Sequence, residues 1–393
     1  MTTGVFLFIA ALLFVIMIHE AGHFVAAKLL GFKATKFFIG FGPTLWSFRR
    51  GETEYGIKMI PAGGFVKIVG MNPYEEVAPE DEHRSYPNRP KWQRAIMIAA
   101  GPATHWPLAF LILVITATTI GFPTGEVTNV VAAIETTIDG EQTPAAEAGL
   151  LPGDLITGVN GSEVSTWLET RRAIRDNAGQ PTTFTFLRDD EEREVTVALG
   201  TAIFDEEGQI VDYAPPGEDL QTKPGQTSVG FLGVQPDQRF ETMGFGEAVV
   251  DSAAQTGRLT GFLVTQIGAP FTTVFNGDLW DALSGDGPRA PEDAPVGIVG
   301  AGRIAGETVE KGMYTEFIGL MVGLTIFVGL INLLPLPPLD GGHLAVLAYE
   351  AVTRRRVDVR KLIPIAAAVI SFFVLLFFAV LYLDLARPLQ VPL

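Results

Sequence analysis

The chain has 393 residues and a formal net charge of −16, and its hydrophobic content of 48% favours a membrane protein over an ordinary soluble one. The acidic balance argues against a nucleic-acid partner, because a protein that binds a polyanion needs a clustered basic surface. No cysteine is present, so thiolate metal sites are excluded and any transition metal must be bound by His, Asp or Glu.

Four segments are apolar and long enough to span a bilayer, which takes about 20 helical residues. They cover residues 4–29, 94–121, 316–350 and 362–385. Basic residues are concentrated between the first two segments and again between the last two, so both of these loops are predicted to be cytoplasmic. The long acidic stretch between the second and third segments, and both termini, are then predicted to lie outside. The sequence thus predicts a multi-pass protein of the cell's inner or plasma membrane.

The first apolar segment contains two histidines four residues apart, in the run His19-Glu20-Ala21-Gly22-His23. On a helix both imidazoles project from one face and can bind one zinc ion, while Glu20 is placed to act as general base for an attacking water. Ionisable side chains inside a span cost about 3 kcal/mol each on insertion scales, so a functional role is favoured. Two alternatives stay open: a His/Glu cluster that only hydrogen-bonds within the helix bundle, and a proton or ion relay.

Between the first two spans, residues 55–70 contain two short apolar runs around a Pro/Gly turn, which predicts a β-hairpin. Its apolar character beside a span indicates that it dips toward the membrane, where its backbone groups must pair internally or with a guest strand. The alternative is a small cytoplasmic hairpin.

The acidic outer stretch begins with a compact module over 123–200, in which a short helix, a Pro-Gly-Asp turn, an Asn-Gly hairpin turn, a helix and two strands follow in order. The region after it is interrupted by Gly and Pro and contains a helical stretch near 246–275 that is a candidate to lie on the membrane surface. The predicted organisation is an N-terminal membrane half over 1–122, the module over 123–200, a further outer region over 201–314 and a C-terminal membrane half over 315–393.

A catalytic zinc ion needs a third protein ligand besides two histidines. The third span is interrupted by three prolines and two glycines, and broken helices at membrane depth line cavities. Asp340 is the carboxylate in this break and is the preferred third ligand, but His343 competes with it and spacing alone does not separate the two. Asn332 precedes the break and is a candidate to bind an extended substrate backbone or an oxyanion, or only to satisfy backbone groups that Pro335 frees.

These motifs resemble the site-2 protease family of intramembrane zinc metalloproteases, most closely its RseP type. The resemblance implies that His19, His23 and Asp340 bind zinc and that Glu20 activates water, and it favours Asp340 over His343. The similar runs occur in family order and cover most of the chain: His-Glu-Ala-Gly-His in the first span, Gly-Phe-Gly-Pro at 40–43, Pro-Ala-Gly-Gly-Phe-Val-Lys at 61–67, Ala-Gly-Pro at 100–102, Pro-Val-Gly-Ile at 295–298, and Asn-Leu-Leu-Pro-Leu-Pro-Pro-Leu-Asp-Gly-Gly-His at 332–343.

The resemblance also implies a fold: an α-helical multi-pass membrane protein with four transmembrane helices, a membrane-associated β-hairpin, and an extracytoplasmic α+β PDZ domain over 123–200. In the family the hairpin pairs with an unwound transmembrane segment of the substrate, so Gly63, Gly64 and Phe65, together with Asn332, are expected to contact substrate. The expected substrates are single-span membrane proteins, such as an anti-sigma factor already cut by a site-1 protease, or remnant signal peptides.

Two features depart from the family pattern. The family usually has asparagine where this chain has His105, and the RseP type usually has two tandem PDZ domains where one is found here. We favour His105 as a hydrogen-bonding substitute for the asparagine, with a further neighbour of the metal site as the alternative.

Two other classes of function remain as rivals: a catalytically silent scaffold that holds partners through its PDZ domain, and an ion or proton transporter. The presence of Glu20 with all three ligands disfavours the scaffold. The transporter is disfavoured by the hairpin, by the metal-compatible spacing and by the lack of an internal repeat of spans.

Overall fold

The structure is a computed structural model that describes residues 2–72, 74–138, 140–205, 210–218, 220–284, 296–310 and 312–387. The chain forms two compact units. We call the residues up to Thr118 and those after Thr242 the membrane unit, and we call Thr119–Thr242 the outer unit, after the side of the membrane that the sequence predicts for it.

The described helices, in chain order, are α1 Thr2–Leu29, α2 Lys91–Ala103, α3 His105–Thr119, α4 Pro144–Glu147, α5 Trp167–Arg175, α6 Phe245–Gln266, α7 Ala269–Asn276, α8 Asp278–Ser284, α9 Ile298–Glu310, α10 Tyr314–Asn332, α11 Asp340–Thr353 and α12 Ile363–Ala386. The described strands are β1 Ala34–Arg50, β2 Thr53–Ile68, β3 Phe122–Ile134, β4 Thr137–Ile138, β5 Glu141–Gln142, β6 Leu155–Val159, β7 Ser162–Glu163, β8 Pro181–Arg188, β9 Glu191–Ala198, β10 Gly200–Phe204, β11 Ile210–Ala214, β12 Thr227–Phe231 and β13 Val234–Glu241. Three 3-10 helices cover Pro79–Arg84, Tyr86–Asn88 and Val359–Leu362.

Within the described part of the chain, four helical stretches are long and apolar enough to cross a membrane: Gly4–Leu29, Lys91–Thr119, Tyr314–Asn332 and Arg360–Ala386. They confirm the four apolar segments that the sequence predicts. The third segment is not one helix, because α10 ends at Asn332 and residues 333–339 are non-helical before α11 begins at Asp340. The prolines in this stretch have no backbone N–H to donate, so the helical ladder cannot continue through it.

The sheet of the membrane unit is formed by β1 and β2, and each strand contributes two segments, so that four segments lie side by side. Phe38 in β1 is paired with both Gly56 and Phe65 of β2, so residues 34–39 lie between the two halves of β2. The second half of β1 pairs with the first half of β2 on its other side. The lateral order of the sheet is therefore 44–50, 53–60, 34–41 and 64–68.

The hairpin predicted over 55–70 is therefore wrong in its pairing. Its two arms do not pair with each other, because residues 34–39 occupy the place between them. Aromatic cross-strand contacts favour this arrangement, since the Phe38 ring stacks on Phe65 with ring centroids 5.7 Å apart. The half of this sheet formed by residues 44–50 and 53–60 exposes several large apolar side chains, as expected of a surface that contacts lipid or protein: Leu45, Trp46, Phe48, Ile57, Met59 and Ile60.

The outer unit is built on an antiparallel sheet in the order β13-β3-β6-β8-β9, with a smaller sheet in the order β11-β10-β12. Strand β13 pairs with β3, so residues beyond the predicted 123–200 module contribute to the same sheet. Helix α5 begins with a capping box between Thr166 and Glu169. The apolar core of the unit includes Val131, Leu150, Ile156, Ile174, Phe184, Phe186, Leu199 and Leu232.

A buried ion pair fastens the Pro-Gly-Asp turn of the outer unit to β8. Asp154 is 1% exposed, and its Oδ2 accepts from Arg188 Nη2 at 2.7 Å and from the Leu151 N–H at 2.8 Å. Burial alone would raise the pKa of Asp154, but the hydrogen bonds from Arg188 and Leu151 hold it below its ordinary value. The carboxylate is therefore ionised at neutral pH and stabilises the turn.

Candidate active site

Helix α1 presents His19 and His23 on one face, one turn apart, as the four-residue spacing requires. Their Nε2 atoms are 3.2 Å apart. Asp340 is the first residue of α11, directly after the proline-rich break, and its Oδ2 lies 3.1 Å from His19 Nε2 and 3.2 Å from His23 Nε2. The structure thus brings together the three predicted ligands. His343, one turn further along α11, is not part of this group.

The three side chains fit a zinc ion. Tetrahedral zinc with ligand bonds of about 2.0–2.1 Å separates neighbouring ligand atoms by about 3.3 Å, and the three observed separations of 3.1, 3.2 and 3.2 Å agree with this value. Two imidazoles and one carboxylate are the donor set of a catalytic zinc site that leaves a fourth position open. His19, His23 and Asp340 are therefore the residues that would hold the metal.

The other ring nitrogen of each histidine is also engaged. His23 Nδ1 is 2.9 Å from the backbone oxygen of Met97 on α2, and His19 Nδ1 is 3.0 Å from Nε2 of His105 on α3. Such outer partners, meaning the hydrogen-bond partners of the ring nitrogen that points away from the metal, fix the orientation of metal-binding imidazoles and leave Nε2 free to bind the metal. Helices α1 and α2 approach closely here, since a Cβ atom on Gly101 would lie 2.2 Å from His23 Nε2.

Glu20 lies between the histidines in the sequence and faces the edge segment 64–68 of the sheet. Its side chain lines the same cavity as Val66, and a Cβ atom on Gly64 would lie 3.2 Å from Glu20 Cγ. Segment 64–68 pairs with β1 on one side, and among the described residues no other strand pairs with it. The predicted base and the predicted substrate-binding strand are therefore neighbours.

A cavity of about 230 Å³ opens over these groups. Two of the predicted substrate-binding residues, Phe65 and Asn332, line it, and Gly63 and Gly64 precede Phe65 in the same strand. The Asn332 side-chain N–H donates to the Val328 carbonyl at 3.0 Å, so part of this amide satisfies the last turn of α10. A contact of Asn332 with substrate stays a prediction. The cavity is lined by His19, Glu20, His23, Phe65, Val66, Ile68, Met71, Met97, Asn332, Pro338, Leu339 and Asp340.

Sequence reasoning missed several of these contacts. The role of Met97 rests on its backbone carbonyl, which every residue type offers, so no sequence signal could have indicated it. Met71 and Leu339 line the cavity as apolar side chains without a distinguishing pattern. His105 did stand out as a departure from the family, but its contact with His19 follows only from the packing of α1 against α3. The predicted Pro-Val-Gly-Ile run begins at Pro295, which lies outside the described residues.

Comparison with known proteins agrees with this geometry. The family model of peptidase family M50 matches residues 7–378. The chain belongs to this family. It is 33% identical over 388 residues to zinc metalloprotease Rip1 of Mycobacterium tuberculosis, covering 95% of this chain and 92% of that protein. It is also 33% identical over 420 residues to Rip1 of Mycolicibacterium smegmatis, covering 99% and 98%, and 27% identical over 424 residues to zinc metalloprotease RasP of Geobacillus kaustophilus, covering 88% and 89%.

The family match and the named relatives show that the chain is an intramembrane zinc metalloprotease of the site-2 type, with Zn²⁺ as its cofactor. Its apolar helices place it in a membrane.

Proposed function

We propose that this protease cuts the transmembrane segments of single-span membrane proteins, with His19, His23 and Asp340 holding the zinc ion and Glu20 as general base. One observation carries the proposal: His19 and His23 lie on α1, an apolar helix long enough to cross a membrane, and they meet Asp340, which begins α11 directly after the break that follows the span Tyr314–Asn332. A catalytic site at this position acts on peptide bonds inside the bilayer.

The side chains of the cavity have distinct roles in this mechanism. Zinc in such a site lowers the pKa of water and polarises the scissile carbonyl. Glu20 accepts a proton from the attacking water as the new C–O bond forms, and then passes it to the leaving amide nitrogen as the C–N bond breaks. Asn332, at the cavity wall, uses the amide N–H that does not bind Val328 to hold the substrate carbonyl oxygen.

The edge segment 64–68 presents the substrate. A transmembrane helix hides every peptide bond, so it must be unwound before water can attack, and the released backbone groups need new partners in the membrane. Strand addition to this edge supplies them. The glycines before Phe65 support this role, because Gly64 adds no side chain between the strand and Glu20.

The topology proposed from the basic loops locates the two termini and the outer unit outside the cytoplasm. We assign residues 123–200 of the outer unit as a PDZ domain, supported by their antiparallel strands with α4 and α5 and by the family resemblance. The substrates are then single-span proteins such as an anti-sigma factor trimmed by a site-1 protease, or remnant signal peptides. Glu20 and His23 fall in the cytoplasmic half of their span, so a product is released inward.

Cleavage-site mapping tests the proposal. The full-length protein is reconstituted in liposomes with a single-span model substrate, and the products are identified by mass spectrometry. We expect the cut within the apolar segment, in its cytoplasmic half. A matched substrate whose Gly, Pro and Asn residues in that segment are replaced by Leu should be cut more slowly, because its helix unwinds less readily. Cuts confined to the water-exposed flanks would refute intramembrane cleavage.

A further inference from the structure

His105 is wholly buried at the start of α3, next to the break between α2 and α3. Its Nε2 atom is 3.0 Å from His19 Nδ1, and the two ring centroids are 5.2 Å apart. On its other side α10 comes very close, since a Cβ atom on Gly329 would lie 2.9 Å from His105 Cβ. The imidazole is thus fixed between α1 and α10, with one nitrogen directed at a candidate metal ligand.

The hydrogen bond between the two rings requires one donor and one acceptor. His19 directs Nε2 at Asp340 and His23, and metal binding there needs an unprotonated Nε2. The proton of His19 therefore resides on Nδ1 and is donated to His105 Nε2. His105 must then carry its own proton on Nδ1, a buried atom that has no hydrogen-bond partner among the described residues.

This arrangement distinguishes His105 from a metal ligand. The lone pair of His105 Nε2 is used by the His19 N–H, and His105 does not belong to the group of ligand atoms formed by His19, His23 and Asp340. The second histidine ligand has a different outer partner, because His23 Nδ1 contacts the backbone oxygen of Met97. Of the two outer contacts, only the one made by His105 can be removed by a side-chain substitution.

We propose that His105 is a positioning residue whose Nε2 accepts a hydrogen bond from the Nδ1–H of His19 and so holds His19 Nε2 toward the metal. The inference rests on the proposed zinc site. Loss of an outer partner of a metal-binding histidine typically weakens metal affinity by about 10–100-fold. Position 105 therefore requires a buried hydrogen-bond acceptor at the place where the imidazole Nε2 lies. A glutamine amide oxygen also provides such an acceptor.

Zinc affinity of the full-length protein tests this role through two variants. His105→Phe keeps a ring but removes the acceptor, whereas His105→Gln restores an acceptor. We expect His105→Phe to raise the zinc Kd, measured by competition with a chelator, by about 10–100-fold and to change the absorption spectrum of the Co²⁺-substituted protein. His105→Gln should stay within about threefold of wild type. The matched control is Thr116→Val, which removes a buried hydroxyl elsewhere on α3 whose bond is to Ile112 of the same helix.

A second measurement does not depend on any variant folding. The ¹⁵N chemical shifts of the five histidines in the wild-type protein report their tautomers, and we expect both His19 and His105 to be protonated on Nδ1. An Nε2-protonated His105 would overturn the inference. So would wild-type affinity and spectrum in His105→Phe, or the loss of one coordinated nitrogen, seen by X-ray absorption, in His105→Gln. A wild type that binds no zinc would instead refute the proposed function, and this inference with it.

Discussion

At the scale of single residues, the sequence alone leaves two candidates for the third metal ligand, and the structure distinguishes them. Asp340 and His343 are three positions apart in the same run, and both residue types bind zinc. Asp340 is the one whose carboxylate lies within 3.2 Å of the Nε2 atoms of both His19 and His23, although it is 317 positions from His23. We therefore assign the ligand role to Asp340.

Zinc content separates the two candidates. Asp340→Asn keeps the size of the side chain but replaces the carboxylate by a neutral, weaker ligand, so we expect bound zinc to fall from about one per chain to near zero under chelator competition. His343→Gln is the matched substitution on the same helix and should retain its zinc. Zinc loss in His343→Gln with retention in Asp340→Asn would reverse the assignment.

The local part of this site could be predicted from the sequence and the long-range part could not. The spacing of His19 and His23 predicts their common face because helix periodicity is a local property. The partner of His19, by contrast, depends on how α3 packs against α1, and nothing in the spacing around His105 encodes that contact.

At the scale of elements, the close approach of α1 and α2 sets the position of His23. The ring of His23 lies where a side chain on residue 101 would be, since an added Cβ atom would be 2.2 Å from Nε2. Overlap of this kind cannot be relieved unless the ring or a helix moves. Gly101 therefore allows both the packing of the helices and the contact of His23 with Met97.

A single methyl group tests this constraint. Gly101→Ala should displace the His23 ring and lower zinc affinity by at least about tenfold, with a parallel loss of cleavage. Gly323→Ala on α10 is the control, because a Cβ atom there meets nothing within 4 Å. The constraint is refuted if Gly101→Ala binds zinc as tightly as the control does.

The elements themselves differ in how well the sequence predicted them. The membrane helices follow from apolar length, and the break after Asn332 follows from its prolines. The sheet of the membrane unit was predicted less well, because strand pairing is non-local: residues 34–39 separate two runs that are adjacent in sequence and look like one hairpin. The assignment of residues 123–200 as a PDZ domain stays a prediction.

At the scale of the whole molecule, charge distribution determines the proposed topology. A polar cluster lies near the end of α1, where Glu52 accepts from Arg84 and Lys28 at 2.7 Å each. The hydrogen bond from Arg84, and then that from Lys28, lower the pKa of Glu52 to about 2, so this carboxylate is ionised at physiological pH. An ionised cluster of this kind belongs in water, and we assign it to the cytoplasmic side together with the Arg354–Lys361 loop.

Cysteine labelling checks the topology directly, because the natural chain has no cysteine. A single cysteine at exposed Arg355 should react with a membrane-impermeant maleimide only after the cells are opened. One at exposed Asp189, in the outer unit, should react in intact cells. Both positions should label in lysed cells, which controls for accessibility. The opposite pattern, or labelling of both positions in intact cells, would invert or abolish the proposed orientation.

The most direct test of the central claim is the Glu20→Gln variant, assayed for zinc and for cleavage of a transmembrane substrate in the same preparation. Glutamine preserves the size of the side chain and leaves His19, His23 and Asp340 unchanged, so zinc content should equal that of wild type. Without the base, cleavage should fall by about 10²–10⁴-fold. A zinc-loaded Glu20→Gln protein that still cleaves at close to the wild-type rate would contradict the account.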